Sequence, residues 1–203
     1  MKIGDKTVFG SYQWRVLDIK NEHALLLAED IVGQQAFHDK AEDVTWETCA
    51  LRKYLNTEFL HQFNAADQAR IAAVTNKNSI NQWYGTTGGE DTEDKIFLLS
   101  LEEAACYYFG NSSRLLYHPG KNQKYWFQRK DENSVNRRAQ LDGYSWWWLR
   151  STGRDKRRAV YIWGNGTIGI QGNGTFNYNS QDCHPLTGDN SGGIRPALWL
   201  SLY

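Results

Sequence analysis

The sequence predicts one mixed domain in which helical and extended stretches occupy separate parts of the chain. Three observations predict it. Residues 45–74 and 100–110 carry helical spacing and capping signals, whereas residues 1–30 and 144–203 carry strand alternation and turn signals. The length, 203 residues, suits one domain better than two. A chain of that size buries about 70% of its unfolded surface and needs no disulfide or metal to fold.

The elements follow in order. Tyr12, Trp14 and Val16 alternate with Gln13, Arg15 and Leu17, the period of a half-buried strand. Lys20-Asn21-Glu22 is a polar turn, and Ala24 to Ala28 supplies the partner of a hairpin over residues 1–30. Trp46, Ala50, Leu51, Tyr54, Leu55 and Phe59 then share one helical face, with Thr45 as its N-cap and Glu47 in the first turn. Asn64 with Asp67 opens a short helix that buries Ile71 and Val74. Residues 75–94, with Gly85, Gly88 and Gly89, read as a loop, and Lys95 to Leu99 as a buried strand. Ser100 and Glu103 form a capping box for a helix that stops at Gly110.

Residues 111–143 are polar, mixed in charge and interrupted by Tyr125, Trp126 and Phe127, which suggests an irregular insert. From Tyr144 onward the texture is β. Trp146 to Ser151 begins it, and Gly164-Asn165-Gly166-Thr167 and Gly172-Asn173-Gly174-Thr175 read as two hairpin turns, because Asn-Gly accepts positive φ at both central positions. The chain closes with an apolar strand ending Ala197-Leu198-Trp199-Leu200.

Composition excludes several classes. Lys+Arg and Asp+Glu are 23 each, and this zero net charge argues against electrostatic nucleic-acid binding. No run of about 18 apolar residues exists to insert in a membrane. No secretory signal is visible at the start, so a cytoplasmic location is the default expectation, with a phage particle or non-classical export as the alternative. Cys49, Cys106 and Cys183 are odd in number and far apart, which is not a disulfide framework. Nine Trp, 11 Tyr and 8 Phe are the unusual feature, and they leave much flat amphipathic surface to place.

Trp147-Trp148-Leu149-Arg150-Ser151 and Gly193-Ile194-Arg195-Pro196-Ala197-Leu198 resemble a bacterial domain family of unknown function that carries a WWLRS…GVRPAL pattern. Leu51-Arg52-x-Tyr54-Leu55-Asn56…Phe59 and Phe97-Leu98-Leu99-Ser100 resemble it too, so the likeness covers most of the chain. That family is similar to the C-type-lectin-like fold of formylglycine-generating and sulfatase-modifying proteins, and to the variable proteins diversified by retroelements. The resemblance implies an α+β domain over residues 1–203, with two main helices packed on small mixed or antiparallel sheets and long loops.

Chemistry-bearing patterns are sparse. The copper-holding cysteine pair of the formylglycine-generating enzymes is undersupplied, since only Cys183 lies in the corresponding region. His23, His38, His61, His118 and His184 show no metal-binding spacing. Asp182, Asp189 and Asn190 offer oxygens to calcium, but the Glu-Pro-Asn and Trp-Asn-Asp motifs of sugar-binding C-type lectins are missing, so calcium is a weak expectation and no cofactor is the main one. No nucleophile elbow or phosphate loop appears.

Arg150 and Arg195 sit in apolar strands, where a guanidinium must be paired or hydrogen-bonded. A structural role is favoured over anion binding for both, beside Trp147 and Trp148 as core. Arg154-Asp155-Lys156-Arg157-Arg158 is the one dense basic cluster, read as a solvated loop with binding of an acidic epitope as the sharper alternative. Strand alternation assigns Val160, Ile162, Ile168 and Ile170 to the core. It leaves Tyr161, Trp163, Thr167, Gln171, Asn177 and Asn179 on the other face or its rim, and these with the turn residues Asn165 and Asn173 form the candidate ligand-binding set, a covering second layer of loops being the equal alternative.

The leading expectation is therefore a non-catalytic recognition domain that binds a protein or glycan through the 152–191 surface. An enzyme of the sulfatase-modifying type and a structural subunit of a phage or surface assembly are the alternatives.

Overall fold

The computed structural model describes residues 1–117, 130–143, 145–177 and 190–203. Two sheets organise them. The first has the order β1-β2-β3-β13-β5, with β8 also pairing to β13, and the second has the order β11-β10-β9-β12-β4. The first is built from β1 (Lys6–Phe9), β2 (Tyr12–Lys20), β3 (His23–Ala28), β5 (Ile71–Ala72), β8 (Ile96–Phe97) and β13 (Ala197–Ser201). The second uses β4 (Gly33–Gln35), β9 (Trp147–Thr152), β10 (Arg158–Ile162), β11 (Ile168–Gly174) and β12 (Gly192–Ile194). A small ladder joins β6 (Val74–Asn76) to β7 (Thr92–Asp94). The architecture is mixed α and β, mostly sheet with a few short helices, and no helix among the described residues is long and apolar enough to cross a membrane.

The amino-terminal alternation holds. Trp14 and Val16 are buried, and Trp14 Nε1 donates to the Phe9 carbonyl at 2.9 Å. The segment is a three-stranded meander rather than a simple hairpin, because β1 pairs with β2 in full register from Lys6↔Arg15 to Phe9↔Tyr12. Leu17 is also buried, since the ladder shifts register between Val16 and Asp18.

The predicted helix from Trp46 is broken in two. Thr45 makes no side-chain cap, and Trp46–Thr48 is one 3-10 turn. Cys49 is extended, with φ −71 and ψ 150, and its Sγ accepts from the Arg52 N–H at 3.3 Å to cap α1 (Ala50–Tyr54). A π-helical turn over Leu55–Phe59 continues it. Trp46, Leu51, Leu55 and Phe59 are nonetheless all buried, so the apolar stripe survives the break.

Two local capping signals form as predicted. Asn64 Oδ1 accepts from the Asp67 N–H at 2.9 Å and opens α2 (Ala65–Arg70). Ile71 and Val74 lie past its end, in β5 and β6. Ser100 and Glu103 form the reciprocal box, with Ser100 N–H to Glu103 at 2.7 Å and Glu103 N–H to Ser100 Oγ at 3.1 Å. The turns it opens run to Tyr107, and Gly110 follows with φ +99.

In the 111–143 stretch, α3 (Arg114–Tyr117) and a 3-10 turn at Ser134–Arg137 flank residues outside the described set, where Tyr125, Trp126 and Phe127 fall. The first Asn-Gly segment is the turn between β10 and β11, although only Gly166 has positive φ. The second is not a turn. Gly172, Asn173 and Gly174 belong to β11, which pairs with β10 past a register shift. Gly172 has φ +83, and a β-carbon there would meet Arg158 Cβ at 2.8 Å and the Ala159 oxygen at 2.9 Å, so its glycine marks a bulge and close approach.

The chain passes from one sheet to the other at four places, and two of these crossovers are short, the first between β3 and β4 and the second between β12 and β13. Arg195 sits in the second crossover and pins the first. Its Nε donates to the Ala28 carbonyl at 2.9 Å and its Nη2 to the Glu29 carbonyl at 3.0 Å.

Candidate functional site

All four aromatic and basic residues predicted to be structural are buried. Trp147 and Trp148 are 0% exposed, with indole N–H groups donating to the Arg137 and Gln35 carbonyls, each at 3.0 Å. Arg150 pairs with Glu103 at 2.5 Å and also donates to the Leu98 and Lys77 carbonyls. Arg195 is 2% exposed, lies with its guanidinium carbon 5.1 Å from the centre of the Trp147 ring, and is bound to carbonyls only. Burial pulls its pKa down to about 10 against the field of Glu29.

The candidate ligand-binding set does not form one face. Trp163 is 40% exposed, whereas Tyr161 is 4% exposed and Thr167 1%. Strand alternation places Tyr161 on the face of Trp163, and the structure buries it instead. It is buried because its ladder partner is Gly169, which has no side chain to lift the phenol off the sheet. Burial also pushes the Tyr161 phenol up, with Arg158 opposing. The ring stands 5.1 Å from Trp163 and 5.5 Å from Trp146, both edge-on. Trp146 in turn meets Trp148 at 4.7 Å, and Trp148 meets Phe37 at 5.6 Å. Trp163 is thus the exposed end of an aromatic row rooted in the core.

The turn that carries Trp163 is tightly held. Asn165, exposed itself, accepts at Oδ1 from the Thr167 N–H at 3.0 Å and from Thr167 Oγ1 at 2.8 Å. The Trp163 N–H donates to the Thr167 carbonyl at 2.8 Å.

The other candidates gather at the far end of β11. Gln171 and Asn173 are half-buried, and Asn173 Oδ1 accepts from the Gly174 N–H. Asn177 is exposed and holds the Asn190 N–H at 2.7 Å and Ser191 Oγ at 3.1 Å. Asn179 lies outside the described residues, as do Asp182, Cys183, His184 and Asp189. Asn173 lies six positions along the chain from Thr167, a span of about 20 Å in extended backbone. At that far end is a cleft of about 450 Å³ walled by the basic run Arg154 to Arg158 with Asp43, Asn173 and Phe176. Its charges are largely paired, Arg157 with Asp43 and both Arg154 and Arg158 with Asp155.

The remaining thiols are packing groups. Burial pushes the Cys49 pKa to about 12 and raises that of Cys106. Among the described residues no three His, Cys, Asp or Glu side chains come together to hold a metal.

Several buried polar residues had no signal that marked them. Arg137 and Asp131 form an ion pair at 2.7 Å with side chains 0% and 1% exposed. Burial pushes the Asp131 carboxyl up, but the Arg137 charge and hydrogen bond, helped by Ser112 and Ser134, bring it below its ordinary range. Asp94 accepts from Trp46 Nε1, Asn76, Thr92 and Arg52 at 3.1, 3.0, 2.7 and 2.6 Å. Asn81 donates to both the Thr152 and Ile170 carbonyls. The one sequence feature that could have found any of them is the Asp131-x-Asn133-Ser134 spacing, a local turn pattern.

No curated protein and no solved structure matches the chain. A family described as a domain of unknown function, DUF6273, matches residues 21–202. That match covers β3 through β13, the whole second sheet and all of the first but β1 and β2, and the chain belongs to the DUF6273 family.

Proposed function

We propose that this domain is a non-catalytic recognition module of C-type-lectin-like fold that binds a protein or glycan through its 152–191 surface, with Trp163 as the anchor. The observation that carries the reading is the exposed Trp163 indole, held edge-on by Tyr161, which Trp146 backs in turn. A rigid aromatic contributes contact area at low entropic cost, and such residues dominate recognition surfaces. The fold reading is supported by how the separated signature segments meet. Asn56 donates to the Ile96 carbonyl, Arg150 N–H to the Leu99 carbonyl, Phe97 pairs with Ala197, and Trp147 with Gly193.

The test is a glycan array and a displayed-protein library probed with the wild-type chain and with Trp163→Ala. The expected result is a discrete set of ligands for the wild-type chain that weakens at least about tenfold with the variant. Ligands bound equally by both would contradict the reading.

A further inference from the structure

A second concavity, of about 530 Å³, lies where the two crossovers meet, apart from β11. Arg15, Glu29, Asp30, Tyr108, Arg138 and Arg195 are among its walls. Arg195 differs there from the other buried guanidiniums. Arg137 and Arg150 each contact a carboxylate, Asp131 at 2.7 Å and Glu103 at 2.5 Å. Among the described residues, Arg195 has no such ion pair.

A guanidinium carries five N–H groups. Arg195 gives one from Nε to Ala28, one from Nη1 to Arg137 at 3.4 Å and one from Nη2 to Glu29, all to neutral carbonyls. Among the described residues, one N–H on each terminal nitrogen is left without an acceptor. The neighbouring Glu29 carboxylate is already held by Arg15 at 2.5 Å and Lys6 at 2.8 Å. A buried guanidinium with donors left and no contacting carboxylate is offset only in part by the Trp147 and Phe109 rings beneath it, and an anion would complete it. The wall charges favour one, three arginines against Glu29 and Asp30. A planar carboxylate matches two terminal guanidinium donors better than a point anion does. The volume suits a small molecule. Ile3 and Val135, 64% and 58% exposed, also line the space and present apolar surface to the body of such a ligand.

We propose that this cavity binds a small organic carboxylate, its two oxygens taking the spare N–H groups of Arg195 and its apolar part lying against Ile3 and Val135. The site is independent of Trp163, so the two readings stand or fall separately.

The test follows the arginine side-chain NMR signals of the full chain during titration with benzoate and hexanoate, with inorganic phosphate and hexanol as comparators. The Arg195 signal should shift saturably with both carboxylates and not with hexanol. Val135→Trp, an exposed position, should weaken the carboxylates by about tenfold by filling the mouth. Trp163→Ala should leave them unchanged. Arg195→Lys should abolish the interaction, and if that variant does not fold, Val135→Trp decides. No saturable shift at about 50 mM carboxylate, a response to phosphate alone, or equal binding by Val135→Trp would overturn the proposal.

Discussion

Arg137 Nε donates to the carbonyl oxygen of Gly166 at 2.8 Å, so a buried guanidinium from the 3-10 turn at Ser134–Arg137 fastens the turn that presents Trp163. The same residue offers its own carbonyl to Trp147 Nε1 and to Arg195. The exposed indole is therefore tied to the core through a chain of buried polar contacts.

Gly166 makes that junction possible. Its φ is +85, and a β-carbon there would collide with the Ser134 backbone. Gly166→Ala should cost about 2–4 kcal/mol, combining left-handed strain with a forced backbone shift. Equilibrium urea unfolding reads it, and a loss under about 1 kcal/mol would show that the turn can move away from Ser134.

Asp94 collects four donors inside the protein. Asp94→Ala leaves Arg52, Trp46, Asn76 and Thr92 without their shared acceptor, and should destabilise the fold by about 3–5 kcal/mol. Thermal unfolding of the variant checks this, and a melting temperature equal to that of the wild-type chain would contradict the network.

The Asp131–Arg137 pair gives a pH signature. The folded Asp131 carboxyl titrates below its unfolded value, so the stability it adds is complete above the unfolded pKa and is lost as pH falls through the folded one. The stability gap between the wild-type chain and Asp131→Asn should be constant from pH 7 to about pH 5 and narrow below about pH 4. A gap that widens on acidification would reverse the assignment.

What was legible in the sequence was local. The Asn64–Asp67 and Ser100–Glu103 caps depend on residues three apart, and both formed. The tryptophan and arginine of the closing motifs were recognisable as buried, because a guanidinium between apolar strand residues has few other places to go. What was not legible depended on partners far along the chain. Tyr161 is buried by the absence of a side chain at Gly169 across the ladder. Asn173 sits in a bulged strand because β10 continues opposite it, although its Asn-Gly pair reads locally as a turn. Asp94 and Arg137 lie in polar stretches with no local pattern that marks them as buried, since three of the four donors to Asp94 come from 18 to 48 residues away and the Gly166 carbonyl that Arg137 reaches is 29 away. The aromatic excess resolves in the same way, with Trp14, Trp46, Trp147 and Trp148 as core and Trp163 as the exposed terminus of a row.

Cys49 provides a check on the packing of α1. Its thiol is buried with a pKa of about 12, raised chiefly by burial against the help of the Arg52 N–H. Alkylation mapped by mass spectrometry should find Cys49 unreactive at pH 8 in the native chain and readily labelled in denaturant. Labelling of native Cys49 as fast as that of an unfolded thiol would mean that the Cys49 cap is open.

The central claim is that Trp163 anchors a ligand while the row behind it only supports the indole. Its most direct measurement is the affinity of Trp163→Ala, relative to the wild-type chain, for the ligands captured on the arrays, with melting temperature measured on the same samples. Affinity is expected to fall at least about tenfold at an essentially unchanged melting temperature. Undiminished affinity in a folded Trp163→Ala variant would contradict it.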